Sequence, residues 1–120
     1  MNLFIDNNSF WEDLDILVTE KGYEVDRRKG SSHPHYPEFI YPLDYGFIKN
    51  TKGTDCLEVD IWFGTDKEQK VTGILNIVDN DKKDTEMKIL WRCTPEEMQM
   101  IYNINNQMHM HAILIIRNKI

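Results

Sequence analysis

Leu57-Glu58-Val59-Asp60-Ile61-Trp62-Phe63 alternates, with an apolar residue at every odd position. Successive side chains of a strand point to opposite faces, so this stretch predicts a half-buried strand with Leu57, Val59, Ile61 and Phe63 on one face. Glu58, Asp60 and Trp62 share the other. Downstream, Gly64-Thr65-Asp66-Lys67 is a turn, residues 71–78 are rich in β-formers, residues 79–84 form a polar loop, and residues 86–92 form a further strand. Glu86 and Lys88 fall on one face of that strand. Upstream, residues 23–27 predict a strand, and residues 28–37 carry two prolines, a glycine and no periodicity, hence a loop, and a basic one. Short extended segments at 38–41 and 45–49 flank Pro42-Leu43-Asp44, and residues 111–116 close the chain as an apolar strand.

Two helices frame these strands. Ser9-Phe10-Trp11-Glu12 fits a capping box, with Phe10, Leu14, Leu17 and Val18 at helical spacing before Lys21-Gly22 stops the helix. Thr94-Pro95-Glu96-Glu97 places a capping hydroxyl, a proline at the first helical position and two acids at the positive end of the dipole. Five or six short strands with one early and one late helix predict an α+β, mainly β fold, either a partly open barrel or a strongly curled sheet.

The 120 residues are 41% hydrophobic and 28% charged, with 14 basic against 20 acidic side chains and a formal net charge of −6. Such a chain suits a single domain over residues 1–120, burying roughly two thirds of its unfolded surface. The acidic balance argues against nucleic-acid partners and anionic membranes, since no basic block can release phosphate counterions. The longest apolar run, residues 112–116, falls far short of a bilayer span, and no signal segment is visible at the N-terminus, so a cytoplasmic location is expected. Cys56 and Cys93 lack metal-knuckle or redox spacing and are expected as buried apolar fillers.

Chemistry concentrates in three places. Residues 41–48 set aromatics around a proline turn, with a glycine at 46 that permits close backbone approach. In residues 55–62 a turn delivers Asp55 and a strand projects Glu58 and Asp60. Residues 81–88 offer Asp81 and Glu86 with Lys88 close behind. Clustered hard oxygen donors suit Mg²⁺ or Mn²⁺ better than zinc, and a neighbouring lysine or arginine suits a phosphate bridging such ions.

These three segments resemble, in order and separation, those of the family I soluble inorganic pyrophosphatases. Tyr41-Pro42-Leu43-Asp44-Tyr45-Gly46-Phe47-Ile48 is similar to the family's YPxNYGYI segment. Residues 55–60 are similar to its DGDPxDVxV signature, and Asp81-x-x-x-x-Glu86-x-Lys88 to its DxxxxDxK metal loop. The likeness runs over residues 23–88. It implies a five-stranded OB-like barrel flanked by an N-terminal and a late α-helix, and metal-dependent hydrolysis of inorganic diphosphate with Mg²⁺, or Mn²⁺, as cofactor. By the same resemblance Asp55, Asp60, Asp81 and Glu86 are metal ligands. Asp60, Tyr45 and Lys88 form the catalytic set, with Tyr45 and Lys88 also against substrate. The family's arginine ahead of the tyrosine segment corresponds to Arg27 or Arg28.

The chain also departs from that pattern. The family's middle aspartate, the usual general base, falls on Leu57, and the late Tyr-Lys pair that grips phosphate is absent after the second helix. Arg28, Lys29, His33 and His35 lie within residues 28–35 and are expected to replace the lost phosphate contacts. An alternative function is a related module that binds diphosphate or a nucleotide without hydrolysing it. His109 and His111 receive no role. The apolar last strand and Met98 and Met100 suit either a homo-oligomer interface or the core.

Overall fold

β-Rich runs of four to nine residues gather into one sheet. A computed structural model describes residues 5–118. Its elements, in chain order, are α1 (Asn8–Lys21), β1 (Tyr23–Arg27), β2 (Asp44–Ile48), β3 (Asp60–Phe63), β4 (Val71–Asp79), β5 (Asp84–Trp91), α2 (Pro95–Ile104) and β6 (Met110–Ile116). The six strands lie in the order β1-β2-β3-β5-β4-β6. All neighbours are antiparallel except β3 and β5, which run parallel.

This is the mainly β, α+β fold expected, with two corrections. The sheet has six strands, as the upper count from the sequence allows and one more than the resemblance implies, with residues 110–116 pairing along β4 from Asp79 to Gly73. It is also an open sheet, with β1 and β6 at its edges, and not a closed barrel.

Each face of the sheet carries its own apolar cluster. On one, Trp11, Leu14 and Val18 of α1 cover Ile48, Ile61 and Ile89. On the other, Met98 and Ile101 of α2 cover Trp62, Leu75 and Leu90. The second helix begins as its sequence predicts: Glu97 N–H donates to the Thr94 hydroxyl, and the Glu97 carboxylate accepts from Thr94 N–H. The first begins two residues earlier than expected. Asn7 is its N-cap, accepting from Phe10 N–H, while Ser9 is inside the helix. Asn and Ser cap about equally well, and the capping-box spacing of Ser9 to Glu12 could not decide between them.

The alternating stretch becomes a strand only from Asp60 onward. Residues 53–57 instead turn tightly, with Gly53 N–H donating to Leu57 O, Cys56 N–H to Gly53 O, and Cys56 at φ 67°. Leu57 is therefore 65% exposed rather than on the apolar face. Cys93 is the buried filler expected, but Cys56 is exposed. Met98 is in the core and Met100 faces outward. Among the described residues no helix is long and apolar enough to cross a membrane.

Candidate functional site

Strand register assembles the site. Arg27 pairs with Tyr45, and Tyr45 with Trp62. Asp60, two residues before Trp62, pairs with Lys88, and Glu86 lies two residues before Lys88. Paired residues project to the same side, as do residues two apart on a strand. Arg27, Tyr45, Asp60, Glu86 and Lys88 therefore share one face of the sheet. It is the α2 face, and these half-buried polar groups continue the apolar surface of Trp62 and Leu90.

A β-bulge decides which arginine shares this face. Val25 pairs with Gly46, but the next partner of the β1 chain, opposite Tyr45, is Arg27 rather than Asp26. Regular pairing would have set Asp26 there and sent Arg27 to the other side. Asp26 stays close, 3.5 Å from the guanidinium. Arg28 instead points outward and pairs at 3.7 Å with Asp44, and Lys29 is exposed, its backbone N–H donating to Asp44. Arg27 is only partly exposed, and its buried Nε has no hydrogen-bond partner among the described residues.

Lys88 is the hub. Its ammonium group donates to the Tyr45 hydroxyl, stands 3.4 Å from Asp60 Oδ2 and lies 4.7 Å from the centre of the Tyr45 ring. Its side chain is 13% exposed. Burial pushes the Tyr45 hydroxyl well above its usual value, and the carboxylates of Asp60 and Glu86 push it further, so it is a neutral O–H throughout the physiological range. Glu86 is also shifted upward, first by burial, then by Asp60 and Asp55, while Lys88 works against them. The charges of Asp60 and Asp55 thus act on Glu86 against that of Lys88.

The other expected residues are placed less centrally. Asp55 approaches from the turn before β3, one of its oxygens accepting Leu57 N–H. That turn is tied to β5 by the Thr54 hydroxyl, which donates to Thr85 O. Asp81 is exposed in the β4–β5 turn, where its N–H donates to Asp79, and the acids nearest in effect to Glu86 are Asp60 and Asp55. Glu58 is exposed and outside β3. His33 lies parallel to Tyr41 with ring centres 6.3 Å apart, whereas His35, His109 and His111 are exposed. Tyr41, which opens the aromatic segment but receives no role from the sequence, also lies beside the site: it is buried, 5.4 Å from the Tyr45 ring, and burial raises its hydroxyl while the neighbouring Arg27 partly offsets that.

Among the described residues no three Asp, Glu, His or Cys side chains stand close enough to enclose a metal ion. A cage built wholly of protein donors therefore does not fit this face. Mg²⁺, however, ordinarily keeps several waters and takes one or two carboxylates together with substrate phosphate oxygens. Asp60 and Glu86, with Asp55 beside them, fit that looser role: burial is the main cause of the upward shift of Glu86, the charges of Asp60 and Asp55 add to it, and a cation would oppose both effects. An adjoining groove, about 370 Å³ and lined by Thr54, Thr85, His111 and Ile113, meets the site at Glu86.

No family model and no curated protein sequence matches the chain. Solved structures do. An inorganic pyrophosphatase from Neisseria gonorrhoeae superposes with a TM-score of 0.63 at 16% identity, over 81% of this chain and 84% of that one. The inorganic pyrophosphatase of Helicobacter pylori superposes with a TM-score of 0.50 at 18% identity, over 79% of this chain and 73% of that one. At such identities the likeness is one of architecture, and the chain has the fold of these two inorganic pyrophosphatases.

Proposed function

We propose that this protein hydrolyses inorganic diphosphate in a metal-dependent reaction on the face carrying Arg27, Tyr45, Asp60, Glu86 and Lys88. The observation that carries this reading is the register of β1, β2, β3 and β5, which sets two cations, a neutral phenol and two acids side by side. The fold shared with two inorganic pyrophosphatases supports it.

Lys88 and Arg27 bind the phosphate oxygens and stabilise charge on the leaving phosphate. Arg27 presents a partly exposed guanidinium, and Lys88 is held in place by Asp60. Tyr45, kept protonated, donates its hydroxyl hydrogen to a phosphate oxygen. Asp60 and Glu86, with Asp55 from the turn, would hold Mg²⁺ or Mn²⁺, and Asp81, exposed in the β4–β5 turn, would act from outside that set. Such an ion would supply charge neutralisation and a more acidic water. Arg28 and Lys29 contribute to attraction of the anion rather than to contact, given their outward placement.

Purified protein is expected to release phosphate from inorganic diphosphate with Mg²⁺ and not with chelator. Asp60→Asn is expected to lower that release at least about a hundredfold, since it removes both a metal donor and the partner of Lys88. Release at the wild-type rate from folded Asp60→Asn protein would overturn the assignment. A second reading, binding without hydrolysis, is favoured by one observation: Leu57 sits in an exposed turn and puts no carboxylate where a water would be activated. Mg²⁺-dependent diphosphate binding without phosphate release would select it.

A further inference from the structure

The segment joining β1 to β2 is a small hairpin, not the irregular loop its prolines suggest. Tyr41 N–H donates to Ser31 O, His33 N–H to Phe39 O, and Phe39 N–H to Tyr36 O, while Ser32 bridges Ile40. The hairpin lines up rings. His33 lies parallel to Tyr41, within 8° at 6.3 Å between centres, and stands 5.1 Å from Tyr36. Tyr41 in turn stands 5.4 Å from Tyr45, whose hydroxyl accepts from Lys88. A continuous path of rings thus leads from the cationic face to Tyr36, which is 52% exposed at the outer end.

Two features of His33 suit it to stacking. Its Nδ1 accepts His35 N–H, which fixes the ring's orientation. Burial pushes its pKa below the usual value, and His35, Arg27, Lys82 and Lys88 push the same way, so the ring is a neutral aromatic under the field of the site's cations. Inorganic diphosphate has no group that would use such a platform. A purine or pyrimidine does, because every base presents a π face.

We infer that the cationic face also binds nucleoside diphosphates, the base stacked on the His33–Tyr36 edge of the hairpin and the phosphates held by Arg27 and Lys88. This rests on the reading of that face as a diphosphate site. The His33 ring is two ring steps, of 6.3 and 5.4 Å, from Tyr45, a span that a ribose and an inner phosphate can bridge.

The test is calorimetric titration of the full chain, in Mg²⁺, with ADP and with methylenediphosphonate, a diphosphate analogue that carries no base and resists hydrolysis. ADP is expected to bind about tenfold more tightly. Tyr36→Ala should abolish that difference and leave methylenediphosphonate unchanged, while Tyr36→Phe should retain it. Equal affinities in the wild type, or an ADP preference that survives Tyr36→Ala, would overturn the inference and leave the diphosphate site standing. If neither ligand binds, the diphosphate site falls with it.

Discussion

A Cβ added to Gly46 would stand 1.8 Å from the carbonyl oxygen of Glu24 and 2.9 Å from the Cα of Val25, so β1 crosses β2 at a distance that only glycine allows. The crossing lies at the bulge that brings Arg27 opposite Tyr45. Gly46→Ala must therefore push β1 away, at an expected cost of about 3 kcal/mol in urea unfolding. It should also weaken diphosphate binding, since Arg27 moves with its strand; unchanged binding would separate the arginine from the site. The need for glycine was legible in Tyr45-Gly46-Phe47. The choice between Arg27 and Arg28 was not, because a bulge belongs to the pairing of two strands and leaves no periodic trace in either one. Leu57 shows the converse limit: its alternation with Val59 was regular, yet Asp55 and Gly53 close a turn over it.

The start of α2 was legible to the residue, because its Thr-Pro-Glu-Glu signature is local chemistry. What Glu97 does beyond the helix was not. Its carboxylate also accepts from the backbone N–H and hydroxyl of Thr65, in the connection between β3 and β4, and so pins α2 to the sheet. Burial alone would raise this carboxyl, but the hydrogen bonds from Thr94 and Thr65 outweigh it, and the folded value lies below the ordinary one. A depressed folded value means stability that is present in full above the unfolded value, about pH 4.3, and lost as pH falls through the folded one. Glu97→Ala leaves the N–H groups of Thr94 and Thr65 without their acceptor and is expected to cost about 2 kcal/mol at pH 7. The difference between wild type and Glu97→Ala, followed by chemical unfolding, should shrink as pH is lowered from 6 to about 3; a constant difference would assign the effect to packing instead.

Across the whole molecule, alternation identified strands but could not say which would be neighbours. The parallel pairing of β3 with β5, and β4 lying between β5 and β6, are contacts between distant parts of the chain, and those are what bring Asp60 to Lys88. One such contact ties α1 to the end of β6. Asp15 accepts Val71 N–H at 2.7 Å and the Arg117 guanidinium at 2.9 Å, while Arg117 also donates to Val71 O. Residues 15, 71 and 117 thus meet at one point, and the Arg117 side chain is only 17% exposed there. Removing it strands a carboxylate oxygen and a carbonyl, so Arg117→Ala is expected to cost about 1–3 kcal/mol, seen as a lower urea midpoint at unchanged slope. Arg28→Ala provides the comparison. That side chain is 78% exposed and stands 3.7 Å from its carboxylate, so its loss should cost under about 0.5 kcal/mol. Equal shifts for the two variants would mean that the Asp15–Arg117 contact contributes no more than a surface ion pair. If the contact is structural alone, folded Arg117→Ala protein should bind methylenediphosphonate as the wild type does.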